Sequence, residues 1–151
     1  MKKSSVQELL KQNGFVKIPL GKNKVGHFQL KADINGKPCK FILDTGASAT
    51  VINEADADGF NLVLMNKKSK KAGGLGGSGI KVRQSTGNVL SLKGFKADKL
   101  KIAVLDLSHV IKSLVQNGAG KINGVIGADI LKKFNAIIDY KGEALYLKKK
   151  Y

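Results

Sequence analysis

The residues best suited to chemistry stand in the stretch FILDTGASATVIN, Phe41 to Asn53, where one carboxylate, Asp44, follows three apolar residues and precedes Thr45, Gly46, Ala47 and Ser48. An aspartate at such a point either caps the turn through side-chain hydrogen bonds, a frequent use of this residue, or is presented to work as an acid or base. The other reactive side chains are dispersed. His27 precedes a strand and His109 falls within an amphipathic stretch, so neither makes a nucleophilic triad with Ser48 or Cys39, and a surface or core role is expected for both. Cys39 lies in the apolar run leading to Asp44 and reads as a small core residue. Two distant histidines and one cysteine have no metal-ligand spacing, so no metal site is expected. AGGLGGSG, Ala72 to Gly79, has glycines that suit a phosphate loop, but such a loop opens a helix. Ile80 and Val82 alternate like a strand, which leaves a flexible surface loop as the plainer reading.

The elements that must hold Asp44 are legible as short strands. Ser5 and Glu8 form a capping-box pair, and Gly14 closes the short helix they begin. Val16, Ile18 and Leu20 alternate with other residues, as do Phe28, Leu30, Ala32 and Ile34. Asn35-Gly36 is a strong hairpin signal, and the returning strand, Cys39 to Leu43, delivers Asp44 at its end. Thr50 to Ile52 reads as a strand, with Asn53 capping a brief helix that Gly59 ends. Leu90 and Leu92, then Leu100, Ile102 and Val104, alternate again around Gly94. Leu107, Val110, Ile111, Leu114 and Val115 have helical spacing, with Asp106 or Ser108 at the start. Val125 and Ile126 read as a buried strand, followed by a glycine turn and a short helix carrying Ile130, Leu131 and Phe134. Asp129 is expected to cap that helix, where a carboxylate suits the N-terminal dipole. A last hairpin, Ala136 to Tyr140 and Ala144 to Leu147, turns at Lys141 and Gly142. The expected fold is mainly β, a closed or folded-over sheet with short helices.

A chain of 151 residues is the size of one domain. A single cysteine cannot form an internal bridge. No apolar run approaches the roughly 20 residues of a membrane span, and Met1 to Gly14 lacks the apolar centre of a signal peptide. A soluble chain is the expectation, its compartment left open, with a lean toward the cytoplasm unless a leader was trimmed. The net charge of +16 favours acidic partners. Against nucleic acid stand a single arginine, Arg83, scattered lysines, few Tyr and Phe and no Trp, so neither an arginine fork nor a stacking platform is at hand.

An apolar strand running into Asp-Thr-Gly, and a later Val125-Ile126-Gly127, together resemble the retropepsin-like aspartic protease family. GHFQLKADINGKPCKFILDTGAS and GVIGADILKKFNAIIDYKGEALYL are most similar to its bacterial single-domain members. The resemblance covers Gly26 to Leu147. It implies a single protease domain over residues 26–151, after an extension, 1–25, with a short helix and strand. It also implies a half-barrel that pairs as a homodimer.

In that family the later apolar-apolar-Gly segment passes beside the acid-bearing loop and locks it. Ile126, Gly127 and Asp129 would then support the loop of Asp44, Thr45, Gly46, Ala47 and Ser48. Thr45 would bond across the dimer axis, the Gly46 amide would support the carboxylate, and Ser48 would steady the turn and meet substrate backbone. Gly74, Leu75, Gly76 and Gly77 would belong to a flap that closes over an extended peptide. Ala128 departs from the viral pattern, in which an arginine there ties the helix down. Tyr146 and Leu147 are core residues or lie at the dimer seam.

Two aspartates about 3 Å apart cannot both ionise, so a pair shares one proton and one member serves as base while the other serves as acid. Only one such acid is present, and QSTG, Gln84 to Gly87, has serine where a second would stand. A complete site therefore needs Asp44 from each of two subunits. The expected function is an aspartic endopeptidase acting on peptide or protein substrates, without metal or cofactor. Two rivals are a catalytically silent, protease-like module for binding or assembly, and a basic nucleic-acid-binding domain.

Overall fold

The computed structural model describes residues 5–65, 70–71 and 81–149. Helix α1, Val6–Gln12, starts at the expected capping box: Ser5 Oγ accepts the Glu8 N–H and the Glu8 carboxylate accepts the Ser5 N–H, both at 3.2 Å. Strands β1 (Phe15–Pro19) and β2 (Gly21–Lys22) lead into β3 (Phe28–Ile34), which turns at Asn35 and Gly36 into β4 (Lys37–Leu43). Both turn residues have positive φ, 51° and 80°, which is why Asn-Gly occupies them.

The chain continues through β5 (Val51–Asn53), two short 3-10 turns (Glu54–Asp56 and Asp58–Phe60), β6 (Lys70–Lys71), β7 (Lys81–Leu92) and β8 (Phe95–Leu105). Helix α2 (Ser108–Gln116), β9 (Gly124–Ile126), α3 (Ala128–Lys133), β10 (Ile137–Asp139) and β11 (Ala144–Lys148) complete it. Strands run in the order β2-β3-β4-β9-β5-β8-β7-β6, and pairing of Asp33 and Ile34 with Ser91 and Leu90 joins β3 to β7, so the sheet closes on itself as the alternation implied. A second sheet, β1-β11-β10, takes in Phe15–Pro19, antiparallel to β11 from Phe15↔Lys148 to Pro19↔Ala144.

Alternation divides the apolar residues between two cores. Phe28, Leu30, Phe41, Leu43, Ile52, Ile102 and Ile126 point into the closed sheet. Ile42, Val51, Ala103 and Leu105 point outward and are covered by Ile111 and Leu114 of α2, together with Ala119 and Ile122. Tyr146 and Leu147, at 2 % and 0 % exposure, are core residues of their own chain, which removes their side chains from a seam between subunits.

Two local expectations are corrected. Asn53 stands at the N-cap position of the first 3-10 turn, but its side chain makes no cap bond; its Oδ1 accepts the Leu107 N–H at 3.0 Å, and the turns after it end at Asn61 (φ 55°) rather than at Gly59. Gly127, not Asp129, is the cap residue of α3, and Asp129 sits inside the first turn. Lys81 to Leu92 form one strand, which passes Gly87 (φ 75°) through register shifts flanking Asn88.

Candidate active site

The loop bearing Asp44 joins β4 to β5, yet those strands are not neighbours. Strand β9 runs between them, parallel to β4 through Phe41↔Gly124, Ile42↔Val125 and Leu43↔Ile126, and antiparallel to β5 through Val51↔Val125 and Ile52↔Gly124. The turn carrying Asp44 is therefore threaded by Gly124–Ile126, and its shape is set by what passes under it.

Hydrogen bonds fix that shape. The Asp44 N–H donates to Ile126 O at 3.0 Å, the Ala47 N–H to Asp44 O at 3.2 Å and the Ala128 N–H to Ala47 O at 2.7 Å. The Gly46 N–H donates to Asp44 Oδ1 at 2.9 Å, a contact that a plain capping aspartate also makes. The threading distinguishes this loop, together with the exposure of Asp44, Thr45, Gly46 and Ser48 above a buried Ala47. Gly127 is required by close approach: a Cβ there would lie 2.5 Å from Ala49 O and 2.8 Å from Ala47 O. Gly124 is equally constrained, since a Cβ would run into Val51 O.

Beneath the loop lies a residue that the sequence did not single out. Thr50, 1 % exposed, accepts the Gly127 N–H at 3.1 Å and donates its hydroxyl to Asp129 Oδ1 at 2.8 Å. The same Asp129 oxygen accepts the Ile130 N–H at 2.8 Å. Asp129 thus ties α3 to the loop through Thr50. A hydroxyl directly before the β-branched pair Val51-Ile52 was the only local sign of this. Asn123 adds a second brace: its Oδ1 accepts the Lys40 N–H at 2.9 Å, and its backbone O accepts the Asn53 N–H at 2.8 Å.

The remaining candidates divide. Cys39 is buried, and burial pushes its thiol pKa far up, helped by the carboxylates of Asp56 and Asp33, so it is no nucleophile. His27 and His109 are exposed and line one groove, with Ser48 outside that lining. Gly74, Leu75, Gly76 and Gly77 lie outside the described residues. A wider hollow, of about 650 Å³, is lined by Ala32, Asp33, Pro38 and Cys39, toward the far end of β4 from Asp44. Among the described residues no three His, Cys, Asp or Glu side chains gather as metal ligands, and no helix is long and apolar enough to cross a membrane.

Known proteins share this architecture. A retropepsin-like aspartic protease from Rickettsia conorii superposes with a TM-score of 0.57 at 22 % identity, over 89 % of each chain. EIAV protease, solved with the inhibitor HBY-793, gives 0.56 at 21 % identity over 79 % of this chain and 98 % of its own. The retroviral protease-like domain of Ddi1 from Leishmania major gives 0.58 at 17 % identity over 84 % and 92 %. At these identities the likeness is one of fold. No curated protein sequence matches the chain. The sequence profile described as aspartyl protease matches residues 30–130, a span that takes in both the Asp44 loop and the strand threaded through it. On that match the chain belongs to the aspartyl protease family, and its fold is the retropepsin-like one.

Proposed function

We propose that the protein is an aspartic endopeptidase whose site is completed by a second copy of the chain, Asp44 of each subunit forming the dyad. The observation that carries this reading is the exposed Asp44 carboxylate on a loop braced by a threaded strand, with the Gly46 N–H on one oxygen and no hydrogen bond to the other from the described residues. Two such carboxylates brought together share a proton. The ionised member takes a proton from a water held between them, the water attacks the peptide carbonyl, and the protonated member gives its proton to the carbonyl oxygen. Thr45 and Ser48, exposed on the same loop, are the residues proposed to meet the partner loop and the substrate backbone.

The test is the molecular mass in solution across dilution, together with cleavage of unstructured peptides by wild type and Asp44→Asn. The expected result is a dimer in which only the wild type cleaves. Full activity in Asp44→Asn would overturn the assignment. A protein that stays monomeric and inert from acid to neutral pH would leave a binding module on a protease fold.

A further inference from the structure

His27 and His109, the only histidines in the chain, come from distant segments yet line one groove of about 400 Å³ with Val25, Val110, Leu114 and Asn117. One wall is the β2–β3 connection. There Asn23 Oδ1 accepts the N–H groups of Val25 and His27, each at 3.0 Å, while the Asn23 N–H donates to His27 O at 3.0 Å, so His27 is held from both sides of its backbone. The other wall is α2, anchored by Ile111 and Leu114 on the outer face of the sheet beside Ile42. His109, Ser113 and Asn117 follow at four-residue spacing and share one side of the helix.

The position of this groove relative to Asp44 follows from strand register. Gln29 pairs with Ile42, so continuing the β3–β4 ladder by two residues sets His27 level with Asp44. Alternation places Gln29 and Ile42 on the outward face, opposite the core residues Phe28 and Leu43. His27, and with it one wall of the groove, thus stands at the Asp44 end of the β3–β4 hairpin, away from the Asn35-Gly36 turn.

Its lining is selective. Val25 and Val110, 43 % and 45 % exposed, offer apolar walls for a side-chain stem. The polar groups are two imidazoles, the Ser113 hydroxyl and the Asn117 amide; no carboxylate is among the described lining residues, the nearest to His109 being Asp106 at the start of α2, outside that lining. Asn23 Nδ2 in the β2–β3 connection and Gln29 Nε2 on β3 are buried donors with no acceptor among the described residues. A donor-rich, carboxylate-free groove on a chain of charge +16 suits an anion with a short apolar stem.

We propose that this groove is a subsite for an acidic side chain of the peptide substrate, glutamate above all, with His27 and His109 as its specificity-determining residues. That the bound peptide is a substrate rests on the dyad reading above; the acid preference of the groove does not.

The experiment exposes a randomised unstructured-peptide library to wild type, His27→Gln/His109→Gln and His27→Arg/His109→Arg, and sequences the cleaved products. In wild type, Glu is expected over Gln by about tenfold at one position near the cut, the discrimination of one charge-assisted hydrogen bond. The preference should collapse in the double Gln variant and persist in the double Arg variant, whose fork also binds carboxylates. In parallel, peptides retained by Asp44→Asn protein are sequenced, with and without the His→Gln changes. Acid enrichment that depends on the histidines supports the groove even if nothing is cleaved, an outcome that would remove the dyad alone. Absence of acid enrichment among both cleaved and retained peptides, or enrichment unchanged in the double Gln variant, overturns the subsite.

Discussion

Thr50 shows how little of a site need be visible in its reactive residue. The residue is 1 % exposed; its hydroxyl serves the Gly127 N–H and the Asp129 carboxylate at once, and the buried Gly127 N–H has no water to turn to. Thr50→Val keeps the shape and removes both bonds, leaving a buried N–H unpaired. Stability is expected to fall by about 1–3 kcal/mol, read as a lower urea midpoint at unchanged slope. Thr50→Ser, which restores the hydroxyl, should recover most of it. A Val variant as stable as wild type would mean that the bonds beneath the loop are dispensable. Asp44 was legible because a carboxylate is unusual at an apolar strand end, and Gly127 because the resemblance assigns a glycine to the threaded segment. Thr50 was not, because a threonine beside Val51 and Ile52 is ordinary strand composition and its partners lie far along the chain.

Among the elements, those specified by local chemistry were readable. The capping box of α1 and the Asn35-Gly36 turn each need only four or fewer neighbouring residues to define them. Asn53 misled because its side chain, well suited to cap a helix, is taken by the distant Leu107 N–H. Asn88 hides in a similar way. Its amide donates to Ser85 Oγ and Leu100 O and its Oδ1 accepts from Asn35 Nδ2, a buried set that carries β7 through its irregularity as one strand. At the start of α2, hydrogen bonds from the Ser108 hydroxyl and N–H, with a smaller contribution from nearby His109, hold the Asp106 carboxyl below its ordinary value of 3.8. A folded-state pKa depressed in this way gives stability that is present above the unfolded value and is lost as pH falls through the folded one. Asp106→Asn keeps an oxygen for the Ser108 N–H and removes the titration. The gap in urea midpoint between wild type and this variant is therefore expected to shrink as pH drops below about 4. A gap constant from neutral pH into acid would remove the ionised carboxylate from the account of α2.

At the scale of the whole molecule, the charge acts on the proposed dimer and on its substrate in opposite senses. Two copies, each +16, repel as they approach, while an acidic peptide is drawn toward the same surface. Salt shortens the range of both forces, to about 8 Å at physiological ionic strength. Raising salt should then tighten the dimer, seen as a light-scattering mass that resists dilution further, and raise KM for acidic peptides. The two effects separate by enzyme concentration. Well above the dimer dissociation constant, where association is complete, cleavage of an acidic peptide should fall steadily with salt. Well below it, the rate should first climb as dimers form and then decline as capture weakens. A rate indifferent to salt at high enzyme concentration would show that the basic surface takes no part in capture. Loss of the rising limb at low concentration would mean that the subunits meet through contacts strong enough to outweigh the repulsion.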